Sequence, residues 1–369
     1  MFIEKVVRFL KKIFKILGSL LFVIILIVAG YASYITLQYY RIEDQQIQTI
    51  HHNSQTQVQL NQEYKIMTYN VGFGAYSHDF SFFMDGGKDS VAKNKAEVLK
   101  NTNGAIATLQ TQNPDFIFLQ EVDTNSTRSY HVNQDALFAQ AFADYGHIHS
   151  INFHSGFLFY PLLNPHGSVL SGLTTLSKYA ISTSIRRSLP VSNAWPAKFF
   201  DLDRALQFHR LPIMNSTQEL VLIHAHLSAY DKGGLIRKQQ LVLLNAILEQ
   251  EKQLGNYVIV GGDYNHDLIG DLGKPFTNQP VPSWVQIFPE ESLVEGFQVV
   301  KIQNAPSIRS TDVPYDEKGI GKDKKNYFCI VDGFIVSDNI EVNLEASFVV
   351  ENEFLYSDHQ PVCMSFTIK

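Results

Sequence analysis

Apolar residues are distributed in two contrasting ways along this chain. Ile16–Leu37 is a run without a single charged side chain. About 20 such residues at 1.5 Å rise match the roughly 30 Å hydrocarbon thickness of a bilayer, so the run predicts a spanning helix. From Tyr64 onward, short β-rich runs alternate with helical ones. The strand candidates are YKIMTY, FIFLQ, GSVLSGLTTLS, ALQFHRLPIM, ELVLIHAHL, YVIVGG, YFCIVDGFIV and PVCMSFTI. Helical spacing runs through Ser90–Gln112, with Val91, Val98, Leu99, Thr102, Ile106 and Leu109 in phase, and through Leu235–Leu254, with Leu235, Leu243, Leu244, Ile247 and Leu248. Strands interleaved with helices predict an α/β layered domain. Between the two regions, residues 39–62 are rich in Gln, Asn and His with few aliphatics. That composition reads as a polar tether or an exposed helical stalk.

The flanks of the apolar run give it a direction. Lys5, Arg8, Lys11, Lys12 and Lys15 precede it, and Tyr31, Tyr34, Tyr39 and Tyr40 cluster at its far end. Basic residues stay cytoplasmic and tyrosines favour the membrane interface. The expectation is therefore a cytoplasmic segment 1–15, a transmembrane anchor 16–38, a linker 39–62 and one domain over 63–369. The protein would be a single-pass protein of the cell membrane with that domain extracytoplasmic. A cleaved signal peptide is the alternative, with Gly30-Tyr31-Ala32 as a cleavage site, but the run is longer than a usual signal core.

Charge is unevenly divided. Residues 1–44 carry a net charge of +3, which leaves about −9 on the remainder. An acidic body lacks the basic stripe that non-specific nucleic-acid binding leaves, although bound metal ions offset local charge. Cys329 and Cys363 are too few for a disulfide framework and sit in no zinc-like cluster. One bridge or two buried thiols are both compatible with the sequence.

Candidate chemistry falls where strands run into loops. Asn70 ends MTYN, Glu121 follows FIFLQ, and His224 and His226 lie two apart in LIHAHL. GGDYNHD supplies Asp263 and Asn265; YSDHQPV supplies Asp358 and His359. Each alone has an ordinary reading as a turn former, a solvated carboxylate or a core histidine. Asp332 differs, because a carboxylate inside FCIVDGFIV must find a partner or pay for its burial. A histidine elsewhere would satisfy it.

Taken in order, these motifs resemble the endonuclease/exonuclease/phosphatase family over roughly Tyr64–Lys369: Asn at a strand end, then QE, HL, GDxN, an Asp in a late strand and SDH. The resemblance implies an α/β four-layer sandwich of two stacked mixed β-sheets flanked by helices, preceded here by one transmembrane helix. It implies Glu121 as the principal ligand of Mg2+ or Mn2+, assisted by Asn70 and Asp358. It implies Asp263 as the group that orients or deprotonates water, Asn265 on the phosphate, and His226 on a phosphate oxygen or the leaving group. His359, held by Asp332, becomes the second histidine, as base or as electrostatic stabiliser. Arg204 matches an arginine aimed at phosphate, with a surface ion pair to Asp201 or Asp203 as the other reading.

Two connections depart from the family pattern: an insertion between Asn70 and Glu121, and the stretch Val300–Asn326 with Arg309, Asp312 and five lysines. The insertion reads as a substrate-facing lid, a membrane-dipping loop or a buried plug. Long loops of this kind are usually functional. The resulting expectation is a divalent-metal-dependent phosphoric ester hydrolase at the outer membrane surface. Its substrate would be a phosphate ester, with a phospholipid or sphingolipid headgroup favoured over nucleic acid or a sugar phosphate. An anchored extracellular nuclease and a non-catalytic binding module are the alternatives. Nothing in the sequence calls for an obligate protein partner.

Overall fold

The structure, a computed structural model, describes residues 1–230, 232–316 and 319–369. It opens with helix α1, Phe2–Gln38, which includes the basic flank and is long and apolar enough to cross a membrane. Ile35 is the buried residue of α1, Tyr31 is half-buried, and most of the remaining apolar surface faces outward. Helices α2 (Lys95–Gln112), α3 (Gln134–Ala141) and α4 (Leu235–Gln253) follow in the body. The strands of the first half are β1 Gln46–Ile47, β2 Glu63–Asn70, β3 Phe116–Asp123, β4 Gly146–Leu158, β5 Gly167–Ser177, β6 Thr183–Ser188 and β7 Ala205–Pro212. Those of the second are β8 Glu219–His226, β9 Tyr257–Asp263, β10 Phe297–Val299, β11 Ile308–Arg309, β12 Phe328–Cys329, β13 Asp332–Ser337, β14 Ile340–Val349 and β15 Val362–Ile368.

They assemble into two mixed sheets, ordered β14-β15-β2-β3-β5-β4 and β1-β6-β7-β8-β9-β13-β10, with β11 and β12 forming a separate ribbon. Side-chain alternation divides each strand between two layers. Ile66, Phe116, Phe118, Leu220, Leu222, Ile259 and Phe334 meet between the sheets. Met67, Tyr69, Ile117 and Leu119 turn the other way, toward α2 and α3. Val221, Ile223, Val258 and Val260 pack beneath α4. The four-layer sandwich expected from the motifs is the architecture found. Helix α2 begins at Lys95 rather than Ser90, because the Asn94 side chain caps it by accepting from the Glu97 amide.

Residues 39–62 are not a free tether or a helical stalk. Gln46–Ile47 pairs with β6, His51 exchanges backbone hydrogen bonds with His147, and Val58 is fully buried in the core between the sheets. Backbone pairing along a sheet edge needs no apolar pattern, which is why the polar composition concealed it. The two cysteines are buried free thiols.

Phe118 lies at the centre of this arrangement, stacked on the His224 ring at 4.6 Å between the sheets. Phe118→Ala should lower the unfolding free energy by about 3–5 kcal/mol, the range for truncating a buried aromatic. Chemical denaturation of the full chain in detergent measures it, and a loss under about 1 kcal/mol would mean the sheets repack around the gap.

Candidate active site

Strand register gathers the polar residues at one end of the sandwich. β8 and β9 are parallel and set His226 opposite Asp263; β9 and β13 are antiparallel and set Asp332 on the other side of Asp263. In the facing sheet, parallel pairing aligns Asn70 with Gln120, so β2 and β3 end together. Gly262 permits the close approach at this end. Its φ is +147°, and a Cβ there would stand 1.8 Å from the Ala225 carbonyl oxygen.

Glu121 reaches the site by a break in alternation. With Phe116 and Phe118 pointing between the sheets, and Ile117 and Leu119 toward the helices, position 121 should face the helices. Instead the register slips between Leu119 and Val122, and Glu121 adopts φ +56°. This bulge gives Val122 the helix-facing place and turns the Glu121 carboxylate into the cavity.

The site is a buried network. Asn70 Nδ2 donates to Asp263 Oδ2 at 3.0 Å and to Glu121 Oε1 at 3.3 Å, while its Oδ1 accepts from the Gly72 amide. Asn70 therefore presents its amide hydrogens, not its oxygen, to both carboxylates. The Asn265 amide donates to Asp263 Oδ1 at 2.9 Å, and its side chain donates to the Leu227 carbonyl. Two histidines approach Asp263 Oδ2, with His226 Nε2 at 3.5 Å and His359 Nε2 at 3.9 Å. Burial, together with Asp332, pushes the Asp263 carboxyl up to about 6, against the pull of His359.

His359 Nδ1 pairs with Asp332 Oδ2 at 2.8 Å, so the carboxylate in the hydrophobic strand has its partner. Burial disfavours the imidazolium, but Asp332, Asp358 and Asp263 overcome it and hold its pKa at about 10. His226 goes the opposite way. Burial first, then the charges of Arg204 and His359, keep it well below the ordinary histidine value and hence neutral. The two histidines are thus poised in different protonation states at neutral pH.

Asp358 is buried, and burial with the nearby Glu121 charge lifts its carboxyl to about 7, opposed by His359 and Arg309. Both Glu121 and Asp358 line the cavity, and no thiol does. Oxygen donors that repel one another suit a hard divalent cation. Asp263, Asp332 and His359 also bring ligand-type atoms within 4.8 Å of one another. There, however, His359 Nδ1 is already committed to Asp332, which describes a hydrogen-bonded pair better than an ion's nest.

Arg204 is buried and lines the cavity, with Nε and Nη1 lacking partners among the described residues. Asp203 pairs with Arg41 at 2.6 Å instead. His224, two residues before His226, stays in the interior, where Gln120 and Thr175 flank its ring. The two long connections supply further participants whose roles the sequence left open. Arg309 is buried beside Asp358, brought in by the β11–β12 ribbon. Asp85 of the insertion accepts from Tyr230 at 2.7 Å and from Thr311, latching three loops together. The insertion also supplies a packed aromatic wall of Phe73, Tyr76, Phe80 and Phe82. Lys318 of the second long connection lies outside the described residues.

A family model described as the Endonuclease/Exonuclease/phosphatase family matches residues 67–286. The chain belongs to this family. Members of the endonuclease/exonuclease/phosphatase family are metal-dependent phosphoester hydrolases, and this chain is one. An endonuclease/exonuclease/phosphatase from Beutenbergia cavernae is similar in structure, with TM-score 0.54, 15% identity, and coverage of 84% of this chain and 72% of that one. The human Nocturnin catalytic domain with bound sulfate has TM-score 0.51 at 15% identity, over 87% of this chain and 98% of that one. D. rerio TDP2 complexed with a single-strand DNA product has TM-score 0.50 at 14% identity, over 83% of this chain and 100% of that one. These likenesses concern the fold. No curated protein matches the chain.

The His359–Asp332 pair has a definite pH signature. A raised histidine pKa contributes stability fully present below the unfolded value near 6.5, and lost as pH rises through about 10. The difference in unfolding free energy between wild type and Asp332→Asn should therefore narrow across that window. Imidazole nitrogen NMR, assigned with His359→Ala, should show His359 titrating well below 10 in Asp332→Asn. A His359 that still titrates near 10 in the variant would remove Asp332 as its partner.

Proposed function

We propose that this family member hydrolyses a phosphate ester of a phospholipid or sphingolipid headgroup, with α1 as a membrane anchor and the domain on the extracytoplasmic side. The supporting observation is the cavity itself. It encloses about 950 Å³ and runs from Asp263, His359 and Arg204 to a mouth where Met84, Tyr160, Phe200 and Tyr230 are all exposed. A charged floor with an apolar rim matches a molecule whose phosphate is buried and whose tail leaves toward lipid. The acidic body argues the same way, against a backbone-tracking nuclease.

Glu121 and Asp358 would hold magnesium or manganese, which when bound neutralises charge on the phosphate oxygens. Asn70 positions Glu121 and Asp263 through its amide hydrogens. Asp263 orients the attacking water and accepts its proton; a carboxyl lifted to about 6 is a better base at neutral pH than an ordinary aspartate. Arg204, with two guanidinium nitrogens that lack partners among the described residues, and Asn265 receive the phosphate oxygens. Neutral His226 donates to a phosphate oxygen or to the leaving group. His359 stays protonated through neutral pH and serves as a fixed positive charge rather than a base.

Activity of the full chain in mixed micelles should vanish on exhaustive chelation and return with magnesium or manganese. In the same assay, a sphingomyelin and phosphatidylinositol series should be cleaved in preference to plasmid DNA, RNA and sugar phosphates. Undiminished activity without metal would end the metal assignment, and cleavage of DNA alone would replace the lipid reading with an anchored nuclease. Asp332→Asn and His359→Ala should each lower kcat by roughly two orders of magnitude, and the double variant should be little worse than either. Full kcat in a less stable Asp332→Asn protein would make the pair structural only.

A further inference from the structure

The tip between β4 and β5 has no evident reason to be apolar in an aqueous domain. Phe159-Tyr160-Pro161-Leu162-Leu163 carries no charge, and Leu162 and Leu163 are 84% and 102% exposed. Adjacent exposed apolar side chains mark a surface that meets something other than water.

Contacts with α1 show which way this hairpin runs. The His154 ring lies against Tyr40 and Gly156 against Gln38 and Tyr34. One residue further, the Phe157 amide donates to the Tyr34 hydroxyl at 3.0 Å, and its carbonyl accepts from the Tyr31 hydroxyl at 3.1 Å. Phe159 then packs edge-on to the Tyr31 ring. As β4 advances toward its tip, its partners move backward from Tyr40, just past the end of α1, to Tyr31 within the helix. From Gln38 to Tyr31 the hairpin thus descends along the helix by about 10 Å, into the uncharged run. The tyrosines that mark the interface are the ones that grip it. A second exposed aromatic segment borders the same end of α1, with Trp195 and Phe200 exposed and Phe199 packed edge-on to Tyr39.

We propose that the Phe159–Leu163 tip inserts into the outer leaflet beside α1 and seats the mouth of the cavity on the lipid surface. Tyr160 belongs both to this tip and to the cavity wall, so the seat and the substrate entrance are continuous. The occupant is lipid rather than protein, because the tip is fastened to the helix that the anchor reading places in the bilayer. The proposal rests on that anchor reading.

The test uses the full chain in phosphatidylcholine/phosphatidylglycerol vesicles, with an environment-sensitive thiol label at one introduced position at a time. Cys329 and Cys363 are buried, and unsubstituted protein gives the labelling background. Leu162→Cys and Leu163→Cys report the tip. Leu26→Cys reports the core of α1, and Leu344→Cys, on the opposite edge of its sheet, reports a surface in water. Labels at 162 and 163 should be quenched several-fold more by nitroxide lipids than the label at 344, and shielded from aqueous iodide. If 26 is lipid-quenched while 162 and 163 match 344, the anchor stands and the hairpin proposal falls. If 26 is itself open to iodide, the anchor reading fails and takes the proposal with it.

Discussion

Asp263, Asp332 and Asp358 are buried at one end of a two-sheet sandwich, with Glu121 opening into the same cavity. Removing even one carboxylate from water costs several kcal/mol unless something compensates it. The compensation is distributed: the His359 imidazolium on Asp332, Asn70 amide hydrogens on Asp263 and Glu121, and the buried Arg309 beside Asp358. None of these is local in sequence. The repulsion is contained only while both sheets keep their ends aligned, so the apolar core between them underwrites the charge arrangement.

That dependence explains what could be read in advance. Strand-terminal residues were legible because each motif ends a recognisable apolar run, and their order along the chain carried the family pattern. The partner of Asp332 was legible as a requirement, since a carboxylate cannot sit alone in FCIVDGFIV. How Glu121 enters the cavity was not. Strict alternation sends it to the helical layer, and only pairing with β5 across the sheet produces the slip that turns it inward. The roles of Arg309, Asp85 and Tyr230 were not legible for a related reason: the two connections stood out, but loop closure leaves no periodic trace of which residues it brings to the site.

The linker misled for the opposite reason. Its Gln- and Asn-rich composition is that of a solvated coil, yet it is held by backbone pairing, by the aliphatics Val58 and Ile50, and by polar side chains such as Arg41 on Asp203 and Asn53 on Ile181. Polar side chains facing water on one side of a sheet-edge strand look the same in sequence as polar side chains on a free chain.

Stitching residues 39–62 to the body changes what the protein can reach. As a loose leash, those 24 residues would span about 80 Å fully extended and let the domain sweep the space above the membrane. As a strap, they hold it at one height and one tilt relative to α1. With α1 in a bilayer and a lipid as the proposed substrate, the search becomes two-dimensional, set by lateral diffusion within the protein's own leaflet. Molecules on an apposed membrane stay out of range however abundant they are.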